Sequence, residues 1–387
     1  MDLRLSDEQR MVQRTIRQFV EKELMPLENE VLRNDREGKP SLSPEKLKEL
    51  QLKAKEAGFW GINTPAEYGG ADLGQVMMAI VLMETAKTFV PFQFGGTADN
   101  ILYYGNEEQK KKYLIPTING EKKSCFAMTE PGAGSDTRNI KTTAVKDGNE
   151  WVINGEKIFI TGGNEADFVM VIAVTDKELG PKGVTCFLVD RDMGWRSEYI
   201  HTMGDWGPAS LIFDNVRVPE ENILGEVNGG YKLGLEWIGN ARWIVGARAV
   251  GMAERALQMA IDYSKERYTF GKPIADRQAI QWMIADAAVD LEAARWLVLN
   301  AAYTLDIGED NRHLASIAKL YGSNMGNRVI DKVLQIHGGM GYTKEMPFEK
   351  WYREARLWRI YDGTDEIQRL IISRNLLKGN VKIGDFI

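Results

Sequence analysis

Along the first 120 residues, apolar positions recur at helical spacing. Ser6 and Gln9 stand three apart as a capping box, and Val12, Ile16, Phe19, Val20 and Leu24 then fall on one face. Ser43 followed by Pro44 opens a second helix, which Gly58 closes. A turn-rich stretch (residues 65–74) leads into a mixed apolar segment, 75–90, which predicts a buried helix. Residues 107–114 predict a short amphipathic helix, broken at 116–120.

The pattern changes near Lys122. Residues 141–161 alternate around Asp147-Gly148-Asn149, the signature of a hairpin. Residues 168–174, 183–189 and 210–218 are further short β-branched runs. Strands and helices do not alternate here, so the segment reads as an antiparallel unit. From about Gly229 long helical periodicity returns, over residues 231–267 and 274–305. Two further helices, about 313–333 and 364–377, flank a glycine-rich turn. Helices, a small β unit, then long helices divide the chain at 1–121, 122–228 and 229–387.

Composition narrows the class. Of 387 residues, 44% are hydrophobic and 27% charged, and the net charge is −6 with both signs interspersed. That is a globular balance without a nucleic-acid footprint or a polybasic membrane patch. Two cysteines and three scattered histidines argue against a disulfide framework and a His-built metal site. The acidic N-terminus lacks an apolar core, and no stretch reaches membrane-spanning length, so a soluble cytoplasmic protein is expected.

Several segments carry candidate chemistry, each with a plain structural reading beside it. CFAMTEPGAGSD (125–136) is a strand end entering a glycine loop. It reads either as a surface turn or as backbone that approaches a planar ring or phosphate. KIFITGGN (157–164) puts an aromatic and a hydroxyl at a strand end. In ERYTFGKP (266–273), Arg267 is either a charge favourable at a helix C-terminus or a phosphate ligand. QIHGGMGY (335–342) reads as a helix C-cap with left-handed glycines, His337 being a satisfied polar residue. In RIYDGTDEIQ (359–368), Asp362 or Thr364 is a helix N-cap, or Asp362 is a catalytic carboxylate.

Taken in order, these segments resemble the acyl-CoA dehydrogenase family from end to end. PAEYGG (65–70), FDNVRVPEEN (213–222) and the stretch 242–257 extend the match. The resemblance implies an α+β, mainly α fold: an N-terminal helical domain, a central antiparallel β-barrel and a C-terminal four-helix bundle, assembled as a homotetramer. It implies FAD as cofactor and an electron-transfer flavoprotein as partner. It sets Phe126, Met128, Thr129 and Ser135 around the flavin and its pyrophosphate, with Phe159 and Thr161 against the ring. Arg267, Phe270, Gln335, Gly338 and Gly339 reach a neighbouring subunit's FAD, and Thr364 and Glu366 lie near its ADP portion. Ser135, Arg242, Tyr361 and Gly363 are implied on the substrate side.

The implied reaction removes two hydrogens across the α,β carbons of a CoA thioester. Asp362 is the matched base, where most members have glutamate; the helix position used by other members is Ala241. The thioester carbonyl takes hydrogen bonds from the Glu366 N–H and a ribityl hydroxyl. Trp206 is a second departure, standing where many members have arginine. Other readings are an enoyl-CoA reductase, a desulfinase or oxidase, and a flavin-binding relative without activity. Phe92, Phe94, Trp237 and Trp243 either narrow an acyl pocket for a short, branched or cyclic group or pack a core. Asp99 reads as a solvated helix face, or as a second acid.

Overall fold

A computed structural model describes residues 5–204 and 207–384. In chain order the helices of the first third are α1 (Asp7–Phe19), α2 (Glu28–Arg36), α3 (Pro44–Glu56), α4 (Gln75–Thr85), α5 (Glu107–Gln109) and α6 (Ile115–Ile118). The β segment holds β1 (Ser124–Ala127), β2 (Thr143–Asp147), β3 (Glu150–Ile160), β4 (Phe168–Val174), β5 (Val184–Asp190), β6 (Arg196–Tyr199), β7 (Ala209–Pro219) and β8 (Ile223–Leu224). The last part holds α7 (Gly230–Glu266), α8 (Gln278–Asp306), α9 (Arg312–His337), α10 (Phe348–Leu357) and α11 (Asp365–Leu377).

The local signals are realised in detail. Ser6 caps α1, with the Gln9 side chain returning the bond to complete the capping box, and Ile16, Phe19, Val20 and Leu24 are buried. Ser43 caps α3, with Pro44 in its first turn. The apolar helix α4 stops at Thr85, five residues short of the expected Val90. The segment after Glu107 tightens and widens within one run, passing through a π-helical turn at Lys110–Leu114 before α6.

The chain divides into two compact units. The first comprises residues 1–59, 73–94 and 240–387; the second comprises 60–72 and 95–239. In the first unit α7 and α9 touch backbone to backbone. A Cβ on Gly322 would lie 2.8 Å from Gly246 Cα, and one on Gly246 would lie 2.9 Å from Ala318 O. Only glycine permits that approach.

The second unit is built on a sheet of eight strands among the described residues, in the order β6-β7-β3-β2-β4-β5-β8, with β1 also on β4. The hairpin β2–β3 turns at Gly148 and Asn149 as expected, with Asp147 paired to Glu150. The sheet is mixed and not purely antiparallel: β1 runs parallel to β4, and β2 meets β4 in parallel at Thr143 and Val174. β4 is covered on both faces, so all but the last of its residues are buried, which suits a parallel neighbour. Its core includes Trp151, Ile153, Val169, Val171, Phe187 and Leu211.

Candidate active site

In the second unit, β1 delivers Phe126 and Met128 into the interior, and the chain then leaves the sheet through the 129–136 loop. Beneath this loop Lys157 and Glu130 form a buried ion pair, Nζ to Oε1 2.8 Å. Lys157 also donates to Met128 O at 3.1 Å, and Glu130 accepts from the Lys141 and Thr142 backbone N–H groups at 2.7 and 3.0 Å. Burial pushes the Lys157 ammonium down to about 8 against the pull of Glu130. Lys157 and the pairing carboxylate of Glu130 fix the loop without facing solvent.

The outer surface of the loop is open. Cβ atoms on Gly132 or Gly134 would meet nothing, and Ser135 is exposed. Ile158 donates to Thr129 O at 2.9 Å, which brings the loop beside β3. There the β3–β7 register breaks between Lys157 and Ile160, and Phe159 adopts φ +60° with its ring 58% exposed. Thr161 is exposed immediately after it. A phenylalanine held in left-handed backbone and turned outward is strained, and such strain collects at ligand-binding positions. An outward ring, hydroxyls and glycine backbone fit a planar aromatic group with a pyrophosphate.

Asp99 is not on a solvated helix face. It accepts from Trp237 Nε1 at 2.7 Å and from Ser124 Oγ at 2.6 Å. Trp237 in turn stacks on Phe126, centroids 4.4 Å apart. In the first unit, Phe92 and Phe94 pack with Phe19 and Phe59, centroids 5.0–6.4 Å apart, so these two belong to a core cluster. Trp243 is fully buried with no hydrogen bond to its Nε1. Trp206 lies outside the described residues.

The first unit gathers charge around the loop between α10 and α11. The N-cap of α11 is Thr364, whose hydroxyl accepts from the Ile367 N–H, which leaves Asp362 free of capping. Asp362 itself has φ +52° and Gly363 φ +86°. Gln368 Nε2 donates to Asp362 O at 3.2 Å and to Gly363 O at 2.8 Å, and Lys319 Nζ donates to Gly363 O at 2.8 Å. Burial raises the Asp362 carboxyl above the usual aspartate range, opposed by the charges of Arg248, Lys319 and Arg242. Arg242 is buried, its Nε makes no hydrogen bond, and desolvation lowers its pKa against the attraction of Asp362. Burial likewise pushes the neighbouring Tyr361 hydroxyl up to about 12. A carboxylate that is costly to ionise, ringed by cations, is the setting for a general base.

Elsewhere in the first unit, Arg267, Phe270, Gln335, Gly338 and Gly339 are described at or near the surface, and Phe270 stands 97% exposed at φ +50°. Gly338 ends α9 at φ +57°, ψ −136°, so this cap has positive φ without being left-handed helical. His337 is buried, its Nδ1 2.8 Å from Val333 O and its ring stacked on Tyr263. Among the described residues no cluster of His, Cys, Asp and Glu is placed to hold a metal, and no helix is long and apolar enough to cross a membrane. Sequence reading misses Lys319 and the Lys157–Glu130 pair; a lysine inside an otherwise apolar helical stripe, as in ASIAKLYG, is the available signal.

This combination of a mixed sheet with an open glycine loop and a helical unit with a sequestered carboxylate matches one family throughout. Models of the acyl-CoA dehydrogenase N-terminal, middle and C-terminal domains match residues 6–121, 125–216 and 228–377. The chain belongs to the acyl-CoA dehydrogenase family of flavoprotein oxidoreductases. It is 40% identical to the acryloyl-CoA reductase (NADH) of Anaerotignum propionicum, covering 98% of this chain and 96% of that one. It is also 40% identical to CarC, a subunit of the caffeyl-CoA reductase–Etf complex of Acetobacterium woodii, over 96% of this chain and 99% of that one. The solved butyryl-CoA dehydrogenase of Megasphaera elsdenii superposes with a TM-score of 0.87 at 34% identity, over 97% of this chain and 100% of that one.

Proposed function

We propose that this chain is an FAD-dependent enzyme that interconverts a saturated acyl-CoA and its trans-2-enoyl-CoA, with Asp362 as the base. The observation that carries the reading is the Asp362 carboxyl: raised by burial, set in a left-handed turn and flanked by Arg242, Arg248 and Lys319. In the oxidative direction the thioester α-proton passes to the Asp362 carboxylate. The Glu366 N–H, in the first turn of α11 where amides lack an internal acceptor, donates to the thioester carbonyl as charge develops there. FAD, when bound, supplies the acceptor for the β-hydrogen and its electron pair.

Phe126, Met128, Thr129, Ser135, Phe159 and Thr161 hold the flavin side of that cofactor, with Thr364 and Glu366 toward its ADP portion. Arg267, Phe270, Gln335, Gly338 and Gly339 serve a neighbouring copy's FAD in a homotetramer; the outward Phe270 ring suits that use. Ser135, Arg242, Tyr361 and Gly363 contact the CoA thioester. The electron partner is an electron-transfer flavoprotein in the cytoplasm, a reading supported by the likeness to the CarC subunit of an Etf complex. The likeness to acryloyl-CoA and caffeyl-CoA reductases favours a second reading, in which the physiological direction is reduction of the enoyl-CoA. Trp237 and Trp243 support a short, branched or cyclic acyl group, while Phe92 and Phe94 no longer bear on it.

The test is an anaerobic titration of the purified protein with butyryl-, isobutyryl-, cyclohexanecarboxyl- and 3-phenylpropionyl-CoA, following flavin bleaching. Bleaching by one class, absent in Asp362→Asn, supports dehydrogenation and identifies the acyl group. Reoxidation of the pre-reduced flavin by an enoyl-CoA, with no bleaching by saturated thioesters, makes the enzyme a reductase. A protein that binds no flavin refutes the reading.

A further inference from the structure

One face of α9 is a row of polar side chains directed at the 355–365 segment. Lys319 Nζ donates to Gly363 O at 2.8 Å, Ser323 Oγ to Trp358 O at 3.1 Å, Asn324 Nδ2 to Asp365 Oδ2 at 2.8 Å and Asn327 Nδ2 to Ala355 O at 2.7 Å. Elsewhere on its surface α9 is pressed to α7 through Gly322 and Gly246. Lys319 is the one cation in it, and its side chain is fully buried.

We infer that Lys319 is a positioning residue for catalysis, which holds the Asp362-Gly363 turn through the Gly363 carbonyl and sets the pH at which the Asp362 carboxylate is available. This rests on the reading of Asp362 as the base. A buried ammonium is costly compared with an apolar side chain of the same length, and here it has two tasks that an apolar side chain cannot perform. The Gly363 carbonyl it binds belongs to the residue after the base, in a turn that a β-carbon would obstruct: a Cβ on Gly363 would come within 2.8 Å of Gln368 Nε2. Its charge also stabilises the ionised form of Asp362.

The surrounding charges leave Lys319 a distinct share of the work. On α7, Arg242 and Arg248 face Asp362, and Arg248 also bonds the Tyr361 hydroxyl, beside which Glu354 of α10 lies. On α11, Asp365 Oδ1 sits 3.8 Å from Lys319 Nζ without a hydrogen bond, while Oδ2 takes Asn324 and Arg359. Glu366 adds a further negative charge toward Lys319. Burial depresses the lysine to about 8, so below that pH it carries its charge beside the turn.

The experiment is stopped-flow flavin bleaching by the fastest of the four thioesters, from pH 5 to 9, for wild type, Lys319→Met, Lys319→Gln, Lys319→Arg and Asp362→Asn. Flavin content and melting temperature are recorded for each. In Lys319→Met the acid limb should move up by about one pH unit, a roughly tenfold loss on that limb, with much of the rate regained at high pH. Lys319→Gln, which keeps an N–H donor without charge, should move the limb likewise and carries the test if the methionine variant loses flavin. Lys319→Arg should keep the wild-type limb. An unmoved limb in both uncharged variants, or an arginine limb displaced as far as theirs, overturns the proposal. If Asp362→Asn bleaches at the wild-type rate, it is the assignment of the base that fails.

Discussion

Lys157 Nζ and Glu130 Oε1 lie 2.8 Å apart with both side chains sealed from water. The pair supports the loop that carries Thr129 and Ser135, so its loss has a structural and a functional reading. Glu130→Ala strands a buried ammonium and frees the Lys141 and Thr142 amides. It should cost about 3–5 kcal/mol in denaturant unfolding. The double variant Glu130→Leu, Lys157→Met should recover much of that stability while retaining less flavin, measured as the visible-to-ultraviolet absorbance ratio.

Two of the buried lysines, 157 and 319, are pushed down to about 8 from an ordinary 10.5. Below pH 8 the native state carries the full cost of keeping them charged. As pH rises from about 8 to 10.5, the native state releases protons that the unfolded chain still holds, so their effect on stability becomes more favourable. Lys157→Met should lack this share of the pH dependence when melting temperatures are compared between pH 7.5 and 10.

Asp362 sets activity against stability. Its folded pKa is raised, so stability falls as pH climbs from the unfolded value of about 3.8 through the folded one. Asp362→Asn should therefore melt higher than wild type at pH 7, with the gap closing at pH 3.5. The same variant should lose on the order of 10²–10⁴-fold in bleaching rate.

Gly322→Ala isolates the contact between α7 and α9. Alanine is favoured over glycine by about 1 kcal/mol in a helix interior, so propensity alone predicts stabilisation. The added methyl would meet Gly246 Cα at 2.8 Å. Net destabilisation of about 1–3 kcal/mol is expected instead, read from urea unfolding.

Phe159→Gly should raise the melting temperature of the flavin-free protein, because the left-handed backbone costs about 1–3 kcal/mol there. It should lower flavin occupancy. Both quantities come from one preparation, melted before and after flavin removal.

Much of the fold is legible because it is locally written. The Ser6–Gln9 capping box, the Ser43-Pro44 start and the Asp147–Glu150 hairpin each rest on residues a few positions apart. β4 is bounded by its sequence because a β-branched run covered on both faces leaves no other reading. β6, with sequence RSEY, escapes because three of its residues are polar and it has no buried face to mark it. α10 is hidden beside the glycine-rich turn, although Phe348, Trp351 and Ala355 form a buried stripe. The parallel pairing of β1 with β4 joins residues 44 positions apart, as Ser124 and Phe168 show, and no local pattern announces it. Asp362 and Arg242 are recognisable by motif; Arg248 and Lys319 are not, because they reach Asp362 from two other helices with no motif of their own.

The turn at Asp362 and Gly363 has a chemical consequence for the Asp362→Asn variant. An asparagine placed before Gly363 forms the dipeptide in which the glycine nitrogen attacks the side-chain amide, expelling ammonia through a succinimide. Hydrolysis then returns aspartate or isoaspartate. A stored sample of that variant should regain activity slowly, with the mass gain of an amide converted to an acid at that peptide, and Asp362→Ala should not. The rate of that ageing in the folded enzyme, set against the unfolded chain, measures how firmly Lys319 and Gln368 restrain the turn.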